Sequence, residues 1–382
     1  MTESEWQTRK QRIDTRLRAL QPSWKIVRYR DGLDFSTLNG VAVEELPTAN
    51  GPADYGLFIA GKLLGIIEAK KVTVNPQNVL EQAKRYSEGA FQGPGNWNGL
   101  KVPFLYASNG EIIWHLDVRP NKRISRRLSH FHTAPALEAF FATNTKPAFD
   151  WLLDTPPDNI QRLRDYQKRC IITVESAIIN GRRELFIAMA TGTGKTYLTV
   201  AQFYRLLESK LARRILFLVD RKALAAQAVR EFSAFNTPQG NKFTQEYEVY
   251  SQRFQREDFG EDSPFDPKVL PNEYLTNPKP SHTFVYVSTI QRMARNLFGA
   301  AGAFAQIGGD GEADEEAEAL DIPIHAFDVI VADECHRGYT LQETSLWRDT
   351  INHFDAIRIG LTATPAAHTV ALFGEPVFRY GV

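Results

Sequence analysis

Five short apolar segments in the second half of the chain constrain the fold more than any other feature. Most of them are separated by stretches with helical periodicity, and each is long enough for one strand. Strands that are apolar on both faces and alternate with helices are typical of a parallel sheet that helices cover on both sides. The segments are LFIAM (185–189), ILFLV (215–219), FVYV (284–287), VIVA (329–332) and IRIGL (357–361).

The first part of the chain has a different pattern. The stretch from Glu5 to Leu20 predicts an amphipathic helix, and short alternating segments follow to about residue 118, which indicates a small unit of mixed α and β structure. The stretch DTPPDN follows this unit, and 382 residues exceed what one hydrophobic core usually serves. We therefore predict an α/β chain with a mixed-sheet domain of residues 1–150, a linker of residues 151–160 and a parallel-sheet domain of residues 161–382.

The charge and cysteine content exclude several classes of protein. Lys and Arg together number 45, as do Asp and Glu, so no net charge draws the whole chain to nucleic acid or to an acidic membrane, and contact with a polyanion requires local patches. Cys170 and Cys335 belong to no metal-spaced cluster, which suits a reducing compartment. The charged start and the lack of any membrane-length apolar run predict a cytoplasmic protein without a membrane partner.

A predicted hairpin brings three charged side chains to one place. The stretch DYGLFIAGKLLGIIEAKK predicts antiparallel strands Tyr55–Ala60 and Leu63–Ala69. Residues two apart in a strand share a face, so Glu68 and Lys70 point the same way. Asp54 begins the first strand, and antiparallel pairing brings it beside the end of the second.

Two neighbouring carboxylates repel each other unless a cation lies between them. Mg²⁺ prefers oxygen ligands and can activate water, so Asp54 and Glu68 are candidate metal ligands and catalytic residues. Lys70 is the third catalytic candidate, because its ammonium group could orient that water or neutralise developing charge. The alternative is a surface hairpin whose charged end is merely solvated.

Further residues extend this candidate site. Gln82 and Tyr86 lie four residues apart in the predicted helix NVLEQAKRY and therefore share one face. Glu45 is a further acidic candidate, and its neighbour Glu44 is equally plausible. The arrangement resembles the PD-(D/E)xK nucleases, and Gln-x-x-x-Tyr resembles the accessory motif of the branch attached to DNA motors, although Ala53 stands where the family name has Pro.

A glycine-rich stretch, MATGTGKTY (189–197), lies between an apolar strand and a predicted helix. In that context the glycines let backbone N–H groups turn toward phosphate oxygens, and the helix N-terminus adds its dipole. Lys195 is expected to reach the terminal phosphates of ATP and Thr196 to bind Mg²⁺. A chance turn is the alternative for this stretch taken alone. The candidate ATP-binding residues here are Thr191, Gly192, Thr193, Gly194, Lys195 and Thr196.

A second acidic motif follows the fourth apolar segment. In FDVIVADECHRG, Asp333 can hold Mg²⁺ and Glu334 can position the attacking water. The stretch resembles the DEAD/DEAH-box motif of superfamily 2 helicases, with His336 as an accessory residue. For His336, and likewise for Thr364 of the later stretch LTATP, a polar residue satisfied within the core is the alternative when each is taken singly.

Other stretches occur in the order found in superfamily 2 helicases. LRDYQ resembles the motif that recognises adenine through Gln167, and LTATP resembles the third motif, in which Thr362 and Thr364 help to couple hydrolysis to movement. VDRKALAAQ and STIQRM resemble segments that contact the nucleic-acid backbone. The ordered set favours a RecA-like ATP-binding lobe over coincidence.

The whole order of elements resembles the R (HsdR) subunit of type I restriction enzymes, especially its EcoEI-like branch. WQTRKQRIDTRL, PADYGLFIAGKLLGIIEAKK, VPFLYASNGEIIWHLD, DECHRG and GLTATPAAHTVALFGEPVFRY all carry the likeness. Membership implies a Mg²⁺-dependent endonuclease joined to an ATP-driven translocase on double-stranded DNA. It also implies methyltransferase and specificity subunits as partners, with the target sequence read by a partner.

The sequence ends shortly after the third helicase motif, so a second RecA-like lobe is expected to be absent. In superfamily 2 motors that lobe supplies an arginine for phosphoryl transfer. We therefore expect weak ATP binding, slow hydrolysis and no translocation from this chain alone. Two other functions remain open: a helicase-nuclease of DNA repair or another antiphage system, and a non-catalytic nucleotide-binding or DNA-binding fragment.

Overall fold

The computed structural model describes residues 4–120, 122–252, 268–299, 317–334 and 341–381. The chain divides into two compact units, Met1–Asn144 and Thr145–Val382, each of which is described by itself. No helix in the described ranges is long and apolar enough to cross a membrane.

The first unit contains a mixed sheet of seven strands in the order β1 to β7. The pairs β1–β2 and β4–β5 are parallel and the others are antiparallel, which confirms the predicted mixed sheet. The strands are β1 (Lys25–Arg28), β2 (Val41–Leu46), β3 (Ala53–Ile59), β4 (Lys62–Ala69), β5 (Phe104–Ser108), β6 (Ile113–Asp117) and β7 (Arg126–Leu128).

Helical segments flank this sheet. The amino-terminal helix is continuous but irregular, because a π-helical turn replaces regular α-helix in its middle. Its start is fixed by Ser4 and Gln7, whose side chains and backbone N–H groups bond reciprocally in a capping box. The segments are α1 (Glu5–Thr8), the π turn (Arg9–Ile13), α2 (Asp14–Arg18), α3 (Leu80–Glu88) and α4 (Ala134–Ala142).

The predicted hairpin is confirmed as strands β3 and β4. Tyr55 pairs with Ile67 in the antiparallel register, and continuing that register places Asp54 opposite Glu68. The strands are almost wholly buried because helix α3 covers one face of β4 and β5. The end of the hairpin is therefore a site where charged groups lie beside a hydrophobic core.

The second unit contains an eight-stranded parallel sheet in the order β11-β10-β12-β9-β13-β14-β8-β15. All five apolar segments named above are strands, which confirms the predicted RecA-like lobe; β10, β11 and β15 were not predicted. The strands are β8 (Glu184–Met189), β9 (Arg214–Val219), β10 (Glu248–Ser251), β11 (Lys268–Val269), β12 (Phe284–Thr289), β13 (Val329–Asp333), β14 (Ile357–Thr362) and β15 (Phe378–Tyr380).

Helices cover both faces of this sheet. In β9, Ile215 and Phe217 pack into the hydrophobic core on one face, and Leu216 and Leu218 pack into the core on the other. This two-sided burial explains why the strands are apolar without alternation. The helices are α5 (Lys146–Asp154), α6 (Asp165–Ile179), α7 (Lys195–Glu208), α8 (Lys222–Ala234), α9 (Phe243–Glu246), α10 (Asn272–Thr276), α11 (Ile290–Phe298), α12 (Leu341–His353) and α13 (Ala367–Phe373).

A buried ion pair joins α6 to α7 and gives a test of this packing. Arg205 is 1% exposed and donates to both carboxylate oxygens of Glu175, at 2.7 and 2.8 Å. We expect Arg205→Ala to lower the free energy of unfolding by about 3–5 kcal/mol, because it leaves a buried carboxylate without its cation. Urea unfolding would measure this, with Arg348→Ala as the control, since Arg348 is exposed and its pair with Asp349 is worth about 1 kcal/mol or less. Equal stabilities of the two variants would contradict the prediction.

Candidate functional site

The carboxylates of Asp54 and Glu68 lie together at the end of the β3–β4 hairpin. The backbone N–H of Ala69 donates to Asp54 Oδ2 at 2.7 Å, and Arg9 Nη1 lies 3.0 Å from Asp54 Oδ1. Lys70 Nζ donates to Glu68 Oε1 at 2.7 Å. The other oxygen, Glu68 Oε2, is buried and accepts no hydrogen bond from the described part of the chain.

Burial makes this pair costly to ionise. Burial first, and then the negative charge of Asp54, raise the pKa of Glu68 from 4.5 to about 8, against the opposing effect of Lys70. Burial also raises the pKa of Asp54, although the N–H of Ala69 and the charge of Arg9 oppose it. The site therefore favours an added cation, which would stabilise both carboxylates in their charged form.

The donor set fits Mg²⁺. Both groups offer hard oxygen ligands, and the orphaned Glu68 Oε2 is a buried acceptor with an unused capacity. Within the described ranges, no group of three or more His, Cys, Asp or Glu residues could hold a metal ion. Mg²⁺ commonly keeps several waters and binds through one or two carboxylates, so a pair is sufficient for this ion.

Lys70 lies just beyond the end of β4. Its backbone N–H donates to the carbonyl of Ser108 at 2.9 Å, so the pairing with β5 continues for one more residue. Its ammonium group also lies 3.6 Å from Glu5 Oε1. Burial opposes the charged amine, but the hydrogen bond and charge of Glu68 outweigh it and raise the pKa of Lys70. Lys70 is therefore a cation held against the candidate metal ligand.

The accessory residues have separate positions. Gln82 Nε2 donates to the Tyr86 hydroxyl at 2.9 Å on helix α3, so the structure brings these two together. In the described contacts, neither forms a hydrogen bond or ion pair with Asp54 or Glu68. Glu45 lies 2.5 Å from Arg9 Nη1 and so joins the site indirectly. Glu44 Oε1 lies 3.8 Å from Arg9 Nη2 and is also paired with Lys10.

The phosphate-binding candidate follows strand β8. Gly192 and Gly194 both have φ of +76°, which L side chains rarely adopt. The Thr193 hydroxyl donates to the carbonyl of Ala190 at 2.7 Å and closes the loop. Lys195 and Thr196 form the first turn of α7, and Thr191 is exposed on the loop. Backbone N–H groups and a helix N-terminus thus meet in one concave turn.

The acidic motif lies opposite this loop. Lys195 Nζ is 3.5 Å from Glu334 Oε1 and donates to the carbonyl of Met189 at 3.2 Å. Asp333 ends β13, and its Oδ1 accepts the N–H of Glu334 at 3.0 Å. Glu334 has φ of 51°, a strained conformation for a residue with a side chain. His336 lies outside the described residues.

The remaining motif residues form local contacts. Gln167 is buried, and its amide donates to the carbonyls of Thr193 and Gly194 at 3.2 and 3.0 Å, so it supports the phosphate loop. Thr362 Oγ1 accepts the N–H of Thr364 at 3.1 Å, which holds the turn after β14. These contacts leave an adenine-binding role for Gln167 as a prediction.

Comparisons with known proteins follow this division of the chain. Residues 160–367 match the family described as "Type III restriction enzyme, res subunit" (ResIII), which covers more than half of the chain. The chain belongs to the ResIII family. Residues 24–141 of this ResIII chain match the family described as "Type I restriction enzyme EcoKI endonuclease subunit second domain".

Two curated relatives resemble the ResIII chain along different lengths. The EcoKI endonuclease subunit of Escherichia coli K12 is 30% identical, over 96% of this chain and 33% of the relative. The EcoAI endonuclease subunit of Escherichia coli is 31% identical, over 57% of this chain and 22% of the relative. The chain thus spans about a third or less of the length of these relatives. Together with both family matches, they place it among type I endonuclease subunits with a ResIII helicase-like domain.

One solved structure extends over the whole ResIII chain. It is described as a fragment of an HsdR subunit of a type I restriction enzyme from Vibrio vulnificus YJ016, with 20% identity, coverage of 100% of this chain and 60% of that one, and a TM-score of 0.34. The parallel order of β8 to β15 itself establishes the fold of the lobe.

The sequence patterns did not indicate that Glu5 and Arg9 belong to the site of Asp54, Glu68 and Lys70. Both lie in the amino-terminal helical region, far in sequence from the hairpin they contact. A signal for Arg9 did exist in the sequence, because regular helical spacing would place it on the same stripe as Ile13 and Leu17, which are wholly buried. A charged residue on an otherwise apolar helical stripe indicates that its charge is paired with a group in the interior.

The raised pKa of Glu68 predicts how stability depends on pH without metal. Because the folded state binds a proton that the unfolded state releases above about pH 4.5, stability should fall as the pH rises from about 4.5 to 8. Glu68→Gln removes the titrating group and should therefore reduce the loss of stability between these pH values. At about 1.4 kcal/mol per unit of pKa shift, the reduction should be a few kcal/mol at most. Urea unfolding of the wild type and the variant at pH 5 and pH 8, with chelator present, tests this. A stability difference between them that does not change with pH would contradict it.

Proposed function

We propose that the chain is the nuclease and first motor portion of a type I restriction endonuclease subunit of the EcoEI-like branch. Residues 1–150 act as a PD-(D/E)xK endonuclease domain, and residues 161–382 act as the first RecA-like lobe after the linker of residues 151–160. The observation that carries this proposal is the buried pair of Asp54 and Glu68, with Lys70 against it and one acceptor oxygen unused.

Asp54 and Glu68 would hold Mg²⁺ through their oxygens at the end of the hairpin. When bound, the ion supplies Lewis acidity toward a phosphodiester oxygen and lowers the pKa of water. Lys70 holds Glu68 by Oε1, which leaves Oε2 available as a ligand for the ion. The charge of Lys70 would stabilise the negative charge that develops on the phosphate in the transition state. Gln82 and Tyr86 would support this site from helix α3, and Glu45 would do so through Arg9.

ATP would bind at the loop after β8. Thr191, Gly192, Thr193 and Gly194 present backbone N–H groups to the phosphates, Lys195 contacts the terminal phosphates, and Thr196 and Asp333 hold Mg²⁺. Glu334 would position the attacking water, and its present distance of 3.5 Å from Lys195 Nζ puts it at the same end of the sheet. Gln167 would recognise adenine, Thr362 and Thr364 would couple hydrolysis to movement, and His336 would be an accessory residue of the acidic motif.

Double-stranded DNA is the proposed substrate, with methyltransferase and specificity subunits as partners of the full assembly in the cytoplasm. Two observations support this proposal: the match to the EcoKI endonuclease subunit over 96% of the chain, and the presence of both candidate sites in this chain.

The nuclease proposal predicts Mg²⁺-dependent cleavage of supercoiled plasmid, assayed as nicking. Asp54→Asn, Glu68→Gln and Lys70→Ala should each slow it by at least about 100-fold, the usual contribution of a group acting in the transition state. Lys71→Ala is the matched control, because Lys71 is the exposed neighbour of Lys70. Lys195→Ala should leave metal-dependent nicking intact. Equal cleavage by Lys70→Ala and Lys71→Ala would exclude the proposed site.

The ATP proposal predicts unequal effects of two glycine substitutions. A Cβ at Gly194 would lie 2.8 Å from Gln167 Nε2, whereas one at Gly192 would meet nothing within 4 Å. Both residues have the same φ, so the backbone strain is matched. Gly194→Ala should therefore weaken the binding of a fluorescent ATP analogue by about 10-fold relative to Gly192→Ala, as a steric displacement of Gln167 would cost about 1.4 kcal/mol. Equal affinities would refute the supporting role of Gln167.

A further inference from the structure

Arg9 is a buried cation inside the candidate nuclease site. Its side chain is 9% exposed, and Nη1 lies 2.5 Å from Glu45 Oε1 and 3.0 Å from Asp54 Oδ1. Nη2 donates to the backbone carbonyl of Asp54 at 3.5 Å, and the guanidinium group lies over the Tyr55 ring at 5.2 Å from its centroid. Arg9 thus contacts both the side chain and the backbone of Asp54.

The irregular helix makes this placement possible. In the π turn the N–H of Asp14 donates to the carbonyl of Arg9, five residues back, so these two residues lie one above the other. Asp14 accepts a hydrogen bond from the Tyr55 hydroxyl at 2.6 Å, while Arg9 covers the ring of the same tyrosine. A regular α-helix would align Arg9 with Ile13 instead. The widened turn therefore docks the helix on β3 with its arginine directed at the site.

The two oxygens of Asp54 are anchored from opposite sides. The N–H of Ala69 fixes Oδ2 and the guanidinium of Arg9 fixes Oδ1, so the carboxylate plane is set by two partners. A carboxylate oxygen can accept two hydrogen bonds, so each oxygen of Asp54 keeps one site for a metal ion. Without Arg9, only one anchor would remain, and Asp54 would face the charges of Glu45 and Glu68 with Lys70 as its remaining nearby cation.

We propose that Arg9 is a positioning residue that orients Asp54 for a divalent cation; this inference rests on the proposed nuclease function. Arg9 does not itself touch the metal or the phosphodiester in this role. The guanidinium geometry matters because one rigid fork reaches Glu45 and Asp54 together, which the single ammonium of lysine does less well. Partners that orient metal ligands typically change metal affinity by about 10–100-fold when removed.

Direct Mn²⁺ binding tests the proposal without relying on cleavage. The full chain, without nucleotide, would be titrated with Mn²⁺ and the free ion measured by electron paramagnetic resonance. Asp54→Asn defines the binding that belongs to this site. Arg9→Ala should weaken that binding by about 10-fold or more, and Arg9→Lys should weaken it less, because the charge remains while the fork is lost. Arg12→Ala is the matched control, since Arg12 lies on the same π turn but pairs with Glu111 instead.

The outcomes separate this inference from the function on which it rests. If the wild type shows no Mn²⁺ binding sensitive to Asp54→Asn, the nuclease proposal fails and the role of Arg9 falls with it. If that binding exists and Arg9→Ala retains it, or binds Mn²⁺ more tightly, the nuclease proposal stands and the role of Arg9 is wrong. Circular dichroism and thermal unfolding of each variant would identify misfolding; if Arg9→Ala does not fold, Arg9→Lys decides by the same criterion, with unchanged affinity overturning the role.

Discussion

The burial of the Glu68 carboxyl group next to Asp54 is the constraint on which the rest of the first unit depends. Two carboxylates beside a hydrophobic core are costly, and burial alone raises the pKa of each. The surrounding structure offsets that cost with a backbone N–H and two cations, Arg9 and Lys70. One oxygen still has no partner among the described residues, which is the feature that distinguishes this cluster from a completed ion-pair network.

In the second unit, as in the first, charged groups gather where strands begin or end, but the strands are parallel. Its loop after β8 turns backbone N–H groups outward through two left-handed glycines, and Lys195 lies between a carbonyl and Glu334. Parallel strands bring the ends of β8 and β13 to the same edge of the sheet, on either side of β14. Charged groups from different strands therefore converge there, as Asp54 at the start of β3 and Glu68 at the end of β4 do in the first unit.

Sequence patterns predicted the elements better than the contacts between them. The apolar segments predicted the five central strands. The turn signal at Gly61-Lys62 predicted the hairpin, and the two-residue period of a strand predicted the shared face of Glu68 and Lys70. The short strands β10, β11 and β15, which lie at or next to the edges of the sheet, lack such a signal. The π turn was also missed, because a widened turn leaves the local periodicity almost unchanged, and with it the contact of Arg9 with Asp54. The roles of the motif residues remain predictions, since sequence and geometry place groups without showing what they bind.

The most direct test is to soak crystals of the protein with Mn²⁺ and to locate the ion in an anomalous difference map. The account predicts a peak within about 2.5 Å of both Glu68 Oε2 and a carboxylate oxygen of Asp54, completed by waters. A well-ordered hairpin with no peak between these two side chains, or with a peak that only one of them contacts, would contradict it.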